Sequence, residues 1–286
     1  MKLVSTPAEI QALALEYRAC GLRVALVPTM GWFHEGHLSL MRAARERVDR
    51  VIVSLFVNPI QFGPTEDLEN YPHDLDRDCE LAEETGIDIL FAPEKTAMYP
   101  ENFASTVRVE GVTDTLCGAS RPGHFDGVTT VVAKLFHLTL PHLAIFGEKD
   151  FQQLAVIRKM VRDLDFPIEI IGHPIVREEN GLAMSSRNTY LHENELSAAL
   201  SLSQSIDEAK KTVLRVGLQG VTVQELQELV RRRILAHPEC EVDYVEIVNR
   251  MTLQPCLQLS ADSMLVLAVK LNNRIRLIDN SILKGS

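Results

Sequence analysis

The 286 residues carry 29 Lys and Arg against 39 Asp and Glu. The resulting net charge of −10 argues against a general nucleic-acid binder, because phosphate backbones select basic surfaces, though not against a small phosphorylated ligand. Hydrophobic residues at 46% and charged residues at 24% are those of a globular chain of one large or two modest domains, and no apolar run approaches the roughly 18 residues of a membrane span.

In chain order, "MKLVSTPAEIQALALEYR" has charges too early and too short an apolar core for a signal peptide. It reads as a helix with Thr6 as N-cap, Pro7 as the first helical residue and Glu9 as the capping-box partner. Five nearly continuous apolar runs follow: "RVALVPT" (23–29), "RVIVSLFVN" (50–58), "DILFAP" (88–93), "HLAIFG" (142–147) and "IEIIGHPIV" (168–176). Continuity rather than alternation marks strands buried on both faces. Helical patterns near 37–47, 74–86, 126–139 and 150–164 separate them, which predicts βαβ units in a doubly wound parallel sheet. "STVRVEG" (105–111) reads as a further strand outside that rhythm. After "GLAMSSRNTYL" (181–191) the character changes to long amphipathic helices near 193–215 and 223–236, the second with a Thr222–Glu225 capping box. Then come the strand patterns 242–249, 264–271 and 274–280. The expected fold is α/β, with a larger domain over 1–175 and a smaller α+β domain over 176–286. Cys20, Cys79, Cys117, Cys240 and Cys256 form no C-x-x-C pair, so neither a disulfide framework nor a zinc site is expected and a reducing cytoplasm fits.

The chemistry starts at "PTMGWFHEGHLSL" (28–40). Ligands of open parallel sheets bind at the carboxyl ends of strands, and the helix that begins here offers unpaired N–H groups and a partial positive charge. His34 and His37 sit three apart, so both imidazoles can face one anion and stabilise charge as it develops, and Gly36 leaves room for close approach. Asn58 and Gln61 in "FVNPIQF" offer neutral amides to an uncharged polar group. Arg121 and His124 in "SRPGHFDGV" offer a guanidinium fork and an imidazole. In "FGEKDFQQL", Gly147 permits close approach and Lys149 brings a mobile charge. Asp150 can hold a ribose hydroxyl or cap a helix, and Gln153 follows on the same helical side. "MSSRN" combines Ser185, Ser186 and Arg187 in a loop. Asp74, Asp76 and Asp78 read as a helix start or as a metal-positioning cluster, with Asp78 the candidate for Mg2+.

The first stretch resembles the H-x-G-H signature of the nucleotidyltransferase superfamily. "FVNPIQFGPTEDLENYPHDLDRD" (56–78), "CGASRPGHFDGV" (117–128), "FGEKDFQQL" (146–154) and "GLAMSSRNTYL" narrow the resemblance to the pantothenate synthetase (pantoate–β-alanine ligase) family, from the N-terminal helix to "RLIDN". That resemblance implies a Rossmann-like domain and the ATP-dependent joining of pantoate to β-alanine through a pantoyl adenylate. It implies an ATP site of Met30, Gly31, Trp32, Phe33, His34, Glu35, Gly36, His37, Gly147, Glu148, Lys149, Asp150, Met184, Ser185, Ser186 and Arg187, with the backbone of Val176 at adenine. Gln61 and Gln153 are implied at pantoate, and Gln61 near β-alanine as well. His34, His37, Lys149 and Arg187 carry the implied catalytic roles. Mg2+ with ATP, a cytoplasmic homodimer, and no nucleic-acid or membrane partner complete the expectation. Three positions depart from the family's usual pattern: Phe33 for leucine, Ile60 for methionine and Cys117 for glutamate. A nucleotidyl transfer to a phosphorylated acceptor would need cations where this chain has the amides of "FVNPIQF" and "FQQL". A tRNA-binding relative would need basic charge, and a nucleotide sensor would not need the full set of His34, His37, Lys149 and Arg187.

Overall fold

The run 24–29 lies at the centre of a sheet because neither of its faces meets water: Val24, Ala25, Leu26 and Val27 are all fully buried. The computed structural model describes residues 1–64 and 66–284. Thr65, inside the stretch 56–78, and Gly285 and Ser286, at the end of the expected second domain, lie outside the described residues. In chain order the elements are β1 (Lys2–Val4), α1 (Pro7–Ala19), β2 (Val24–Thr29), α2 (Glu35–Arg45), β3 (Arg50–Leu55), α3 (Leu75–Glu84) and β4 (Ile89–Phe91). The short helices α4 (Lys95–Met98) and α5 (Cys117–Ser120) precede α6 (His124–Thr139), β5 (Leu143–Gly147), α7 (Phe151–Asp163) and β6 (Glu169–His173). The chain closes with α8 (Leu196–Val216), α9 (Val223–Leu235), β7 (Cys240–Asn249), β8 (Ser263–Leu271) and β9 (Ile275–Ile282).

The chain divides into two compact units. The first comprises 1–113, 121–148 and 153–174; the second comprises 114–120, 149–152 and 175–286. In the first, six parallel strands are ordered β1-β4-β3-β2-β5-β6. The chain leaves β2 toward β3 and β4, then returns to lay β5 and β6 on the other side. The direction of winding therefore reverses between β2 and β5, where open sheets place their ligands. Helix α2 packs Leu40, Met41 and Ala44 on Ala25, Val27, Val51 and Val53 of the sheet. Each such large apolar side chain contributes about 1.5–3 kcal/mol relative to its exposed state.

Helix α1 begins at the predicted N-cap, where Thr6 Oγ1 accepts from the N–H of Glu9 at 3.3 Å with proline in the first turn, but the reciprocal half of the expected capping box does not form: the Glu9 carboxylate pairs with Lys2 Nζ at 2.9 Å instead. The strand β1 ahead of it was not expected; three residues are too few to show a period, and pairing with β4 holds it. The expected strand at 105–111 does not form. Its backbone bonds threonine side chains of α6 instead: the N–H of Val107 donates to Thr130 Oγ1 at 3.0 Å, and Thr129 Oγ1 donates to the Val107 carbonyl at 2.5 Å.

In the second unit, β7, β8 and β9 form an antiparallel sheet with a register shift between Val242 and Tyr244. Helices α8 and α9 bury Leu202, Ile206, Leu226 and Val230 against Val245, Ile247, Leu265 and Leu267 of that sheet. Thr222 and Glu225 form the predicted capping box at α9. Among the described residues no helix is long and apolar enough to cross a membrane.

Candidate active site

Residues 30–34 connect β2 to α2 through two successive left-handed residues, Gly31 at φ +87° and Trp32 at φ +52°. Glycine takes that conformation freely, whereas a tryptophan there is held by its surroundings, at a cost of order 1–3 kcal/mol. Asp78 of α3 does the holding. Its Oδ2 accepts from the N–H of Trp32 and its Oδ1 from the N–H of Phe33, both at 2.7 Å. Two successive amides around one carboxylate make a small anion nest. The Arg77 guanidinium lies 4.8 Å from the centre of the Trp32 ring, and its Nη2 donates to the Phe33 carbonyl at 2.8 Å. A Cβ on Gly31 would meet Asp78 Oδ2 and Leu55 Cδ2 at 3.1 Å, a tight approach that adds to the preference of its left-handed φ for glycine. Phe33 is fully buried in the core.

The two histidines that follow are the helix cap of α2. His34 is the N-cap residue, and its Nδ1 accepts from the N–H of Gly36 at 3.1 Å. His37 is the third helical residue, and its Nδ1 accepts from the N–H of His34 at 3.4 Å. This is a capping box with imidazoles in both roles, which explains the spacing of three more directly than a shared helical face. An Nδ1 that accepts a backbone N–H carries no proton, so each neutral ring bears its proton on Nε2. The rings lie 4.1 Å apart between centres. Glu35 faces Arg42 in an ion pair about two turns on.

Gln61 lies in a 3-10 turn over Pro59–Gln61 and is buried. Asn58 Nδ2 donates to Gln61 Oε1 at 2.9 Å and to the Gly127 carbonyl at 3.0 Å. The Tyr99 hydroxyl donates to Asn58 Oδ1 at 2.7 Å, and burial raises that phenol's pKa. Gln61 Nε2 reaches Met30 Sδ at 3.3 Å, which links the amide to the turn after β2. Arg121 and His124 act on the main chain of the same residue. His124 Nδ1 is 2.9 Å from the Gln61 carbonyl and its Nε2 is 3.0 Å from Arg121 Nη1. A carbonyl only accepts and a guanidinium only donates, so this imidazole is neutral with its proton on Nδ1. Arg121 in turn grips Glu66, at 2.6 Å from Nε and 2.5 Å from Nη2. Burial raises the Glu66 pKa, but the Arg121 hydrogen bonds and charge outweigh it and leave the net shift downward.

Gly147 ends β5, with open space where a Cβ would stand, and Glu148 follows it in the first unit. Gln153 is half-buried in the first turn of α7. Lys149 and Asp150 belong to the second unit, Asp150 exposed and closing a 3-10 turn over Glu148–Asp150. The Lys149 carbonyl accepts from Asn280 Nδ2 at 2.9 Å. Val176 and Met184 face each other across a narrow loop, the N–H of Met184 donating to the Val176 carbonyl at 3.0 Å. Ser185 caps a 3-10 turn over Ser186–Tyr190, its Oγ accepting from the N–H of Arg187 at 3.3 Å. Asn188 ties that turn back to Glu178 at 2.7 Å.

Asp78 is the correction to the expected site. It is 1% exposed, its two oxygens serve Trp32 and Phe33, and burial raises its pKa against the pull of those amides. Its place is to shape the turn rather than to receive Mg2+. Asp74, four residues earlier, is the N-cap of α3. Among the described residues no group of three or more His, Cys, Asp or Glu side chains is placed to hold a metal ion. Sequence reasoning passed over Glu66, Tyr99 and Gly127. Gly127 was legible in principle: in a well-formed helix a glycine costs about 1 kcal/mol and signals close packing. A Cβ there would lie 2.5 Å from the Ile60 carbonyl and 2.6 Å from Gln61 Cα.

Comparison with known proteins places the whole chain in one family. The family model described as pantoate-beta-alanine ligase matches residues 2–282. The pantothenate synthetase of Desulfotalea psychrophila is 52% identical over 284 residues, covering 99% of each chain. That of Geobacter sulfurreducens is 50% identical over 283 residues, again with 99% of each covered. Among solved structures, pantothenate synthetase from Thermus thermophilus superimposes with a TM-score of 0.91 at 46% identity over 99% of each chain. The Francisella tularensis pantoate-beta-alanine ligase, crystallised with beta-gamma ATP and beta-alanine, has a TM-score of 0.80 at 30% identity, covering 99% of this chain and 98% of its own. With the family model matched over residues 2–282, about half of all positions identical to the Desulfotalea and Geobacter relatives and the fold shared over almost the whole length, this chain belongs to the pantoate–β-alanine ligase family.

Proposed function

We propose that this chain joins pantoate to β-alanine in two steps, using ATP as the activating substrate. In the first, a pantoate carboxylate oxygen attacks the α-phosphorus, the bond to the β-phosphate oxygen breaks, and pyrophosphate leaves. In the second, the β-alanine amine attacks the acyl carbon, the acyl–oxygen bond breaks, AMP leaves and the amine loses a proton. The observation that carries this reading is the double-histidine cap of α2. With Nδ1 of His34 and His37 turned to backbone amides, each ring presents a donor at Nε2 at the end of a helix dipole. No covalent enzyme intermediate is needed, and catalysis rests on positioning and charge stabilisation.

His34, His37 and Lys149 neutralise charge on the α-phosphate in this reading, and Ser185, Ser186 and Arg187 attend the departing pyrophosphate. The segment Met30 to His37, with the Phe33 side chain itself turned into the core, holds ATP together with Gly147 to Asp150 and Met184 to Arg187, with the Val176 backbone at adenine. Gln61 and Gln153 hold pantoate, and Gln61 also meets β-alanine. The complex of the Francisella relative with an ATP analogue and β-alanine supports the substrate set. Mg2+ suits a donor set of this kind as an ion borne by the nucleotide's phosphates, since Asp78 is committed to the backbone. Residues 176–286 serve as the lid-forming part and 1–175 as the ATP- and pantoate-binding part. The chain works as a cytoplasmic homodimer, which light scattering checks as twice the monomer mass.

The deciding experiment supplies ATP and pantoate with and without β-alanine. AMP release that depends on both acids, together with pantoate-dependent exchange of labelled pyrophosphate into ATP in the absence of β-alanine, is the expected result. Pyrophosphate exchange without pantoate, or none with it, defeats the adenylate reading.

A further inference from the structure

Two adjacent polar residues interrupt an apolar strand in β9. Ile275 and Leu277 are buried as expected of a core strand, but Asp279 and Asn280, paired with Leu267 and Val266 of β8, are equally buried, at 3% and 5% exposure. A carboxylate and an amide in such a place are poorer for packing than apolar side chains of the same size, so each must be spent on a specific partner. Neighbours along a strand face opposite ways, and these two reach different segments. Asn280 Nδ2 donates to the Lys149 carbonyl at 2.9 Å. Asp279 accepts from both ends of the Arg177 fork, Nη1 at 2.7 Å and Nη2 at 2.8 Å. Arg177 Nη1 also donates to the Gly181 carbonyl at 3.0 Å, across the loop that pairs Arg177 with Ala183. The same loop is closed by the amides of Glu178 and Met184, donating to the carbonyls of Leu182 and Val176, and continues to Arg187.

We propose that Asp279 and Asn280 are positioning residues for the nucleotide: one strand of the second unit holds Lys149 by its main chain and the 176–187 segment by Arg177, so both phosphate-facing segments are set before ATP arrives. The inference rests on the reading that Lys149 and Ser185–Arg187 act on the phosphates of ATP. Its physical content is preorganisation. A flexible lysine and a loop lose catalytic advantage when they must be ordered during the reaction, and a buried bidentate pair removes that freedom in advance. Neither Asp279 nor Asn280 need touch substrate.

The test compares Asn280→Leu, which keeps the size and removes the donor, with Asn280→His, whose Nδ1–H stands where the amide N–H stood, and with Asp279→Asn. Pantoate-dependent ATP–pyrophosphate exchange is expected to fall about tenfold or more in kcat for Asn280→Leu, with the pantoate KM unchanged and most of the rate restored in Asn280→His. Asp279→Asn is expected to raise the ATP KM about tenfold, the equivalent of one charge-assisted hydrogen bond. Amide hydrogen exchange should quicken in 149–152 for Asn280→Leu and in 176–188 for Asp279→Asn, while the amides of α8 and α9 stay protected. Unchanged ATP kinetics in both variants, an equal rise in the pantoate KM, or no advantage of histidine over leucine overturns the proposal. Lys149→Ala and Arg187→Ala separate the two levels. If those retain full exchange activity, the nucleotide reading itself fails; if they are crippled while the Asp279 and Asn280 variants are not, only the positioning role fails.

Discussion

His37 carries two tasks that a conventional alanine substitution would confound. Its ring completes the cap of α2 through the His34 N–H and is proposed to face the α-phosphate. Glutamine is a regular occupant of the third position in a capping box, so His37→Gln keeps the cap while removing the imidazole. Adenylate formation is expected to fall about 10²–10³-fold in both His37→Gln and His37→Ala. The unfolding free energy should drop only in the alanine variant, by about 1 kcal/mol in a denaturant titration. Activity in His37→Gln near that of the wild type would remove the imidazole from the mechanism. Asp78 is the second residue whose part is now clear. Asp78→Asn turns one acceptor into a donor that faces a backbone N–H, and should cost about 1–3 kcal/mol. The same variant should slow adenylation without abolishing it, since the charge it removes sits behind the turn; a complete loss in a folded protein would instead argue for a direct role. Trp32, opaque in the sequence, is explained by these bonds: its left-handed φ depends on a carboxylate 46 residues away in the chain.

At the scale of elements, the approach of α6 to the 59–61 turn decides where Gln61 lies. Gly127 makes that approach possible, and the His124 and Arg121 contacts with the Gln61 carbonyl secure it. Gly127→Ala would force the turn away by an appreciable fraction of an ångström. It is expected to cost about 1–3 kcal/mol of stability and to raise the pantoate KM more than the ATP KM, as steady-state kinetics would show. Equal effects on both substrates would mean that the turn does not serve pantoate. The failed strand at 105–111 belongs to this scale too. Its Val-Arg-Val alternation is a fair strand pattern, and Val109 is indeed buried, but its backbone partners are hydroxyls of Thr129 and Thr130. Nothing local distinguishes a strand from an extended segment laid on a helix.

At the scale of the whole molecule, acid stability has an identifiable contributor. Glu195, 2% exposed at its side chain, accepts from the N–H of His192, from Asn272 Nδ2 and from Arg274, and these bonds hold its pKa at about 2 against an ordinary 4.5. A depressed carboxylate pKa means that the unfolded chain binds the proton more readily. The stabilisation is therefore complete above pH 4.5 and is lost as pH falls from 4.5 toward 2. Glu195→Gln should reduce stability at pH 7 and flatten the dependence of the unfolding free energy on pH across that window, measured by denaturant titration at each pH. An unchanged slope would show that other carboxylates dominate the acid limb.

The sequence by itself determined the sheet, because strands buried on both faces must be apolar throughout, as 24–29 and 143–147 are. It also placed the caps at Thr6 and Thr222, where a hydroxyl three residues before a glutamate has a purely local function. The H-x-G-H pair, the "FVNPIQF" amides and the "MSSR" loop were legible because their residue types are chemically distinctive. Tertiary structure alone decided the use of groups whose partners lie far along the chain. Asp78 became the anchor of the Trp32 turn, Arg121 and His124 came to serve the Gln61 carbonyl, and Asp279 and Asn280 were matched to Arg177 and Lys149. The physical reason is that a polar group's role is set by whichever partner burial leaves within hydrogen-bond reach. Separations of 46, 63, 102 and 131 residues leave no periodic trace in a sequence.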